Sequence, residues 1–255
     1  MSWLDASEPP PFALENAQGR SAYLLTCDHA SRRLPSRLGR LGLDDAALET
    51  HIAWDIGAAG VARRLADALD AFLIMTNYSR LAIDCNRPPG SADSIVLRSE
   101  RTEIPGNRDI AAEEVEARAN ALFHPYHDRI RAELDARRDA GRPAVLLALH
   151  SFTPVYHGVE RPWHAGLLYG RDARLGRALL ELLRGEPGLT IGDNEPYAVS
   201  DLTDYAIPAH GERRGILHAG LELRQDLIAD AQGQAAWAAR LAPVFERALV
   251  KLPSR

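Results

Sequence analysis

Short apolar segments alternate with longer amphipathic ones along this chain, and that alternation limits its fold more than any other feature. Residues 144–149 form an apolar run of strand length. Residues 56–69 and 111–138 instead repeat apolar side chains at three- and four-residue steps, which is typical of helices with one packed face. Strands that alternate with helices imply right-handed crossovers. The sequence therefore predicts an α/β fold with a mostly parallel sheet.

The remaining segments extend the same pattern. Further helices are predicted at 173–183 and 232–249. Since neither a repeat nor a linker separates two halves, we expect a single domain over residues 1–255, with 1–20 as a lead-in. Further strands are predicted at 21–30, 71–79, 80–89, 164–170, 189–191 and 215–225.

Composition narrows the class of protein. A 46% hydrophobic content in 255 residues is ordinary for a globular enzyme, and no apolar run approaches the ~18 residues that span a membrane. A net charge of −5 argues against a nucleic-acid partner. The first residues lack the basic start and apolar core of a signal peptide, so we expect a cytoplasmic protein. Two cysteines are too few for a disulfide framework.

Unusual polar residues stand where four of the predicted strands end. In parallel sheets, ligands bind at the carboxyl ends of the strands, so these residues are candidates for one site. Each also has a simpler interpretation: a hydrogen-bonded histidine, a turn, or a glutamate that faces solvent. The four sets are Cys27, Asp28 and His29; Asp84, Cys85, Asn86 and Arg87; His150 and Ser151; and Glu222 with Arg224.

Two histidines among carboxylates are a ligand set that suits one zinc ion. Zinc accepts imidazole and carboxylate and leaves a position for water in catalytic sites. A further carboxylate that does not bind the ion is suited to act as the base for that water. The strand ends therefore favour a metal-dependent hydrolase.

Motifs over nearly the whole chain resemble those of the N-formylglutamate amidohydrolase family. The resemblance implies zinc-exopeptidase-like chemistry and a three-layer fold, with a mostly parallel mixed sheet between helices. It also implies hydrolysis of N-formyl-L-glutamate to formate and L-glutamate in histidine degradation. The motifs, in order between residues 23 and 229, are "CDHAS", "HIAWDIGA", "SRLAIDCNRPP", "IPGNRDI", "HPYHDRI", "LALHSFTP", "GVERPWHAGLLY", "NEPY" and "LELRQDLI".

The same resemblance, extended to zinc carboxypeptidases, implies roles for individual residues. His150, in an "HS" that follows a strand, corresponds to a zinc-binding histidine, and His29 to the other one. Glu222, in "ELR", corresponds to the catalytic base. Asn86 and Arg87 correspond to a pair that binds the substrate carboxylate.

The third metal ligand departs from the carboxypeptidase pattern. That pattern has a glutamate three residues after the first histidine, where this chain has Arg32. Asp55 is our choice, because "WDIGA" opens the helix after the first strand, although an aspartate there is also a common helix N-cap. Asp28 is the alternative, either as a ligand or as a hydrogen-bond partner of a ligating imidazole.

Two arginines complete the predicted site. We expect Arg80 to stabilise the oxyanion and Arg161 to bind substrate, since guanidinium pairs well with carboxylate, and salt bridges are the alternative for both. His157 and His164 are candidates for the pocket lining. His124 and His127 are three residues apart on a helix, and we interpret them as structural.

Other functions stay open from the sequence. A second deacylase of N-acyl amino acids and a small carboxypeptidase belong to the same reaction class. A serine or cysteine hydrolase would use Ser151 or Cys27, but the chain has no G-x-S-x-G motif. A non-catalytic relative that binds an acidic metabolite is the non-enzyme alternative. The sequence offers no argument for a dimer over a monomer.

Overall fold

The computed structural model describes residues 3–252, and a seven-stranded sheet lies at its centre. The strands are β1 (Phe12–Glu15), β2 (Tyr23–Cys27), β3 (Phe72–Thr76), β4 (Arg98–Ser99), β5 (Thr102–Glu103), β6 (Val145–Phe152), β7 (Val155–Tyr156), β8 (Val159–Glu160), β9 (Ala165–Leu168), β10 (Ile191–Asp193) and β11 (Leu217–Arg224). The central sheet has the order β1-β3-β2-β6-β11-β9-β10, whereas β4-β5 and β7-β8 are separate two-stranded pairs.

The centre of the sheet is parallel and its two flanks include antiparallel pairs. β3, β2, β6 and β11 run parallel to one another, whereas β1 and β9 pair antiparallel with β3 and β11. β10 runs parallel to β9. The predicted mixed, mostly parallel sheet is therefore confirmed. This direction brings the carboxyl ends of β2, β6 and β11 to one edge, and it places His150 beside Glu222 in the register.

Helices cover both faces of the sheet. They are α1 (Asp45–Leu48), α2 (Ala58–Leu69), α3 (Ala112–Arg118), α4 (His124–Asp139), α5 (Arg174–Arg184) and α6 (Ala231–Lys251). A π-helical turn, Ala119–Phe123, joins α3 to α4, so the predicted long helix over 111–138 is present with one widened turn. Shorter 3₁₀ turns lie at Ser36–Leu38, Pro105–Asn107, Glu212–Arg214 and Gln225–Leu227, and a second π turn lies at Ile207–Gly211.

Alternation along the strands divides the core between the two faces. Leu25 and Leu147 pack with α2, α5 and α6, whereas Leu24 and Leu146 pack with Tyr126 of α4 and its neighbours. Successive strand residues point to opposite faces, which is why a continuous apolar run is needed to cover both. Each fully buried leucine contributes about 1.5–3 kcal/mol to folding.

The strand predicted over 80–89 is wrong. Its backbone amides bond locally, as when Ala82 N donates to Ser79 O at 3.0 Å and Arg87 N donates to Asp84 O at 3.2 Å. Leu81 is fully buried although it belongs to no strand. The apolar pattern therefore reported burial in a loop, and the loop conformation directs several polar side chains towards one edge of the sheet.

The lead-in before residue 20 contributes β1, which the sequence did not predict. β1 pairs with β3 at the sheet margin, where Phe12 lies opposite Thr76. None of the helices within residues 3–252 has the length and apolar character needed to cross a membrane.

Candidate active site

A cavity of about 460 Å³ opens at the edge where β2, β6 and β11 end. Loops after β3 and β10 complete its wall, because Arg80, Arg87 and Tyr197 also line it. The sheet thus supplies a rigid floor of strand ends, and irregular segments supply the rim. Such an edge is where α/β sheets bind ligands.

His29, Asp55 and His150 converge in this cavity. Asp55 Oδ2 lies 3.3 Å from His29 Nδ1 and 3.0 Å from His150 Nδ1. All three side chains are buried, and one ligand atom from each lies within 4.8 Å of the others. The structure therefore brings together the three residues predicted as metal ligands.

Local backbone geometry explains how Asp55 reaches the histidines. Asp55 N donates to the backbone oxygen of His29 at 2.9 Å, which fixes the loop against the end of β2. Gly57 has φ +81°, and a Cβ there would stand 2.1 Å from Ile228 O, so only glycine fits. Gly57 is also the N-cap of α2, so the carboxylate of Asp55 is not used as the helix cap.

His29 has a carboxylate behind it as well as in front of it. Its Nε2 lies 2.7 Å from Asp84 Oδ1, on the side of the ring away from Asp55. Burial, followed by the charge of Arg80, lowers the pKa of His29 to about 4, which keeps the imidazole neutral near pH 7. Burial alone would raise the pKa of Asp84, but His29 and Arg87 hold it below its usual range. A neutral imidazole oriented by a carboxylate is the common arrangement of a metal-binding histidine.

The donor set fits a metal ion. Two imidazole nitrogens and a carboxylate oxygen are ligands that zinc accepts, and bonds of about 2.0–2.2 Å in a tetrahedron separate ligand atoms by roughly 3.4 Å. The measured 3.0 and 3.3 Å separations from Asp55 Oδ2 are close to that spacing. Arg80 pairs with the other oxygen, Asp55 Oδ1, and leaves Oδ2 directed at the histidines. These observations make the cluster a candidate metal site.

Glu222 is a buried carboxylate on the same cavity wall. Its neighbours Leu221 and Leu223 face the core below the sheet, so the glutamate faces the cavity. The side chain is not solvent-facing: Glu222 is 5% exposed, and its Oε2 has no hydrogen-bond partner among the described residues. Burial raises the pKa of Glu222, against the opposing effect of His150 and Arg80. A carboxylate with a raised pKa is suited to proton transfer.

Asn86 and Arg87 both lie at the cavity rim, but their side chains make different hydrogen bonds. The Oδ1 of Asn86 accepts from the backbone amides of Tyr205 and Ala206 at 3.1 Å each, so this side chain holds a neighbouring loop. Arg87 donates through Nη1 to the carbonyl of Thr203 and lines the cavity. Their roles in substrate binding stay predictions.

Arg161 is fixed between aromatic rings near the cavity. Its guanidinium lies 4.5 Å from the ring centre of Tyr156 and 4.8 Å from that of Tyr197. It also donates to the Tyr197 hydroxyl at 2.9 Å. Contacts of this kind hold an arginine rigid while leaving part of its donor edge free.

The other histidines lie outside the cluster. His157 occupies an exposed turn between β7 and β8, and its backbone amide donates to Glu100 at 3.3 Å. His164 Nδ1 accepts from the amide of Thr190 at 2.9 Å. His124 and His127 do not pair with each other in the described contacts; His127 instead joins Cys85 O at 2.7 Å.

The residues considered for a serine or cysteine hydrolase are not arranged for it. Ser151 Oγ donates to the backbone oxygen of Ile56 at 2.9 Å, and no described contact joins it to a histidine. Cys27 is completely buried, and burial raises its pKa to about 12, so a thiolate does not form near pH 7. Neither side chain is therefore an activated nucleophile.

Two contributors to the site were assigned no role from the sequence. Asp84 was noted only as a residue at a strand end, and its contact with His29 spans 55 positions. Tyr126 counted only as an apolar position of a helix, yet its hydroxyl donates to Asp28. Apart from the strand-end position of Asp84, their signal was membership of the motifs "SRLAIDCNRPP" and "HPYHDRI".

Comparison with known proteins identifies the family of the chain. The family model described as N-formylglutamate amidohydrolase matches residues 21–229. The chain belongs to this N-formylglutamate amidohydrolase family. Membership supports an enzyme that hydrolyses an N-formyl amide, and the His/Asp/His cluster suggests that this N-formylglutamate amidohydrolase homologue holds a metal. A search of curated proteins gives no match.

Two solved structures resemble this family member over most of their length. A gene product of Agrobacterium tumefaciens is 40% identical with a TM-score of 0.94, over 97% of this chain and 98% of that one. The N-formylglutamate amidohydrolase of Ralstonia eutropha is 18% identical with a TM-score of 0.70, over 95% and 98%. The second likeness shows a shared fold.

Proposed function

We propose that the chain hydrolyses the amide of an N-acyl amino acid that bears a carboxylate, with N-formyl-L-glutamate as the first substrate to test. The products would be formate and L-glutamate. The observation that carries this proposal is Glu222, a buried carboxylate with an unpaired oxygen in the cavity that holds the His/Asp/His cluster. Membership of an amidohydrolase family supports the same reaction.

The proposed cofactor is one zinc ion held by His29, Asp55 and His150. When bound, zinc supplies a positive centre that polarises a carbonyl and lowers the pKa of water to about 7. Arg80 keeps Asp55 in place through the oxygen that faces away from the histidines. Asp84 keeps the ring of His29 in one orientation.

Glu222 is the proposed proton carrier. It accepts a proton from water as the water oxygen forms a bond to the acyl carbon. It then delivers that proton to the nitrogen of the amide as the carbon–nitrogen bond breaks, which releases the amine. Glu222 is only 5% exposed, which limits the access of bulk water that would compete for the proton. Arg80, which lines the cavity, is the proposed group that stabilises the oxyanion.

Substrate recognition would depend on the arginines of the rim. Arg87, which lines the cavity, is the proposed partner of a substrate carboxylate, and Asn86 supports it by holding the loop that Arg87 also contacts. Arg161, stacked between tyrosines, offers a second guanidinium for the other carboxylate of a glutamate product. Bidentate guanidinium–carboxylate pairs give both affinity and geometric selection.

A larger acyl group is the alternative to formyl. The cavity of about 460 Å³ is of ordinary size for a small-molecule site, so it accommodates N-acyl amino acids as a class. Formyl, acetyl and longer N-acyl derivatives of glutamate and aspartate therefore belong in one substrate panel. Binding of these compounds without product release would instead support the non-catalytic alternative.

The test is glutamate release from N-formyl-L-glutamate by protein stripped with a chelator and then given one equivalent of zinc. We expect activity to disappear on stripping and to return with zinc. Zinc binding without turnover of any panel compound would reject the reaction but keep the metal site. Turnover that ignores the chelator would reject the metal site.

A further inference from the structure

Asp28 is a buried carboxylate that the proposed function leaves without a task. It follows β2 directly, its side chain is fully buried, and its Oδ1 accepts a hydrogen bond from the hydroxyl of Tyr126. The other oxygen, Oδ2, has no hydrogen-bond partner among the described residues. An unpaired buried carboxylate oxygen costs on the order of several kcal/mol, so its retention calls for a physical reason.

His150 is the group that this oxygen faces. Asp28 Oδ2 lies 3.9 Å from His150 Nε2, while His150 Nδ1 lies 3.0 Å from Asp55 Oδ2 on the other side of the ring. A neutral imidazole that gives one nitrogen to a metal carries its proton on the other. That N–H then needs an acceptor, and Asp28 Oδ2 is the acceptor at hand.

Each of the two histidines therefore has a carboxylate near its Nε2 atom, but only one of the two pairs is within hydrogen-bond distance. His29 already pairs with Asp84 at 2.7 Å, whereas His150 and Asp28 stand beyond hydrogen-bond distance. Tyr126, from α4, prevents Asp28 from turning away, because its hydroxyl donates to the other carboxylate oxygen, Oδ1. Burial raises the pKa of Tyr126 well above its usual value, so its hydroxyl stays protonated and can only donate to Asp28.

We propose that Tyr126 is a positioning residue for the metal site: it holds Asp28 so that the free oxygen accepts the Nε2 proton of His150 when His150 binds metal. This inference rests on the metal site of the proposed function. Asp28 is then a hydrogen-bond partner of a ligand and not a ligand itself. Carboxylates in that position typically change metal affinity by about 10- to 100-fold.

The test compares Tyr126→Phe with Tyr23→Phe in zinc titrations against a competing chelator. Tyr23 is a matched control, because it is also buried and its hydroxyl donates to the backbone oxygen of Phe245 at 2.8 Å. We expect about tenfold weaker zinc binding for Tyr126→Phe. Tyr23→Phe should bind zinc like the parent protein. The two variants should differ in zinc affinity even if their melting temperatures are similar.

A second readout follows the proton directly. In zinc-loaded parent protein, the Nε2 proton of His150 should give a slowly exchanging imidazole resonance, which Tyr126→Phe should broaden or lose. Asp28→Asn should weaken zinc binding by about 10- to 100-fold, less than a variant of the ligand Asp55.

Equal zinc affinity for Tyr126→Phe and Tyr23→Phe would overturn this inference while leaving the metal site intact. Zinc binding lost as completely in Asp28→Asn as in Asp55→Asn would make Asp28 a ligand and would also overturn it. A parent protein that binds neither zinc nor cobalt would overturn the metal site and this inference together.

Discussion

A cavity lies at each end of the central sheet, and the smaller cavity contains the residues of the candidate active site. The same strands, β2, β6 and β11, begin at one cavity and end at the other. The cavity at their beginning holds about 710 Å³ and has an apolar floor that includes Val145 and Leu217. The cavity at their end holds about 460 Å³ and contains Glu222 and the His/Asp/His cluster.

The difference lies in whether charges are already paired. At the larger cavity, Arg214 and Arg138 both pair with Asp135, at 2.7 and 3.0 Å. At the smaller one, Glu222 Oε2 is buried in the cavity wall and has no hydrogen-bond partner among the described residues. Satisfied ion pairs need no ligand, whereas a buried carboxylate oxygen without a partner is available to accept from one. A buried carboxylate without a partner in the cavity wall therefore identifies the candidate site better than volume does.

The largest expected effect is at Asp55. Asp55→Asn removes the one carboxylate in the proposed ligand set and leaves Arg80 with a neutral partner. We expect zinc affinity to fall by more than the roughly 100-fold typical when a hydrogen-bond partner of a metal ligand is changed. Glutamate release should become undetectable. Metal analysis after dialysis and a glutamate assay check both. Full zinc content in this variant would contradict the assignment.

Glu222→Gln should separate binding from turnover. The amide keeps the size of the side chain and loses its ability to take a proton. We expect kcat to fall by roughly 10²- to 10⁴-fold while zinc content stays at the parent level. Comparison of kcat with bound zinc measures this. Loss of zinc in parallel with activity would instead make Glu222 a ligand.

Arg87→Lys tests recognition at the rim. Lysine keeps the charge but cannot make a two-point contact with a carboxylate. We expect KM for N-formyl-L-glutamate to rise by roughly 10- to 100-fold, since hydrogen bonds to a charged group contribute about 1.5–3 kcal/mol. Steady-state kinetics with N-formyl-L-glutamate check this. An unchanged KM would remove Arg87 from the substrate site.

Acid should weaken the metal-free protein mainly at the end of the sheet that holds the site. His127 and His210 are buried and lie 2.9 Å apart, and burial lowers both pKa values, that of His210 to about 3. Below about pH 6.5 the unfolded chain binds protons that the folded chain does not, so the free energy of unfolding falls as the pH drops. The loss is up to ~1.4 kcal/mol per pH unit for each of the two histidines.

Amide hydrogen exchange at pH 7 and pH 5 measures this effect region by region. Protection should decrease first around His127 and Ile207–Gly211. His210→Asn should flatten the decline in unfolding free energy between these pH values. A uniform loss of protection across both ends of the sheet would contradict the prediction.

The smallest expected effect is at the larger cavity. Arg214→Gln removes one ion pair with Asp135, whose partner Arg138 remains. Partly exposed pairs contribute about 0–1 kcal/mol, so we expect a small change in stability and none in zinc content or kcat. Chemical denaturation and the glutamate assay measure both. A marked loss of activity would show that the two ends are functionally coupled.

Sequence patterns predicted those site residues whose position follows from the direction of the strands. His29, His150 and Glu222 follow or end apolar strands, and parallel strands place such residues at one edge. The pairing of Tyr126 with Asp28 joins residues 98 positions apart and could not be derived from spacing. The loop at 80–89 was misassigned because burial in a loop gives the same apolar pattern as burial in a strand.

Crystals of zinc-loaded Glu222→Gln protein soaked with N-formyl-L-glutamate would test the central claim most directly. Anomalous diffraction at the zinc edge should place the ion in contact with His29 Nδ1, Asp55 Oδ2 and His150 Nδ1, with the formyl amide beside residue 222. Zinc bound away from these three atoms, or substrate bound in the larger cavity at the other end of the sheet, would contradict the account.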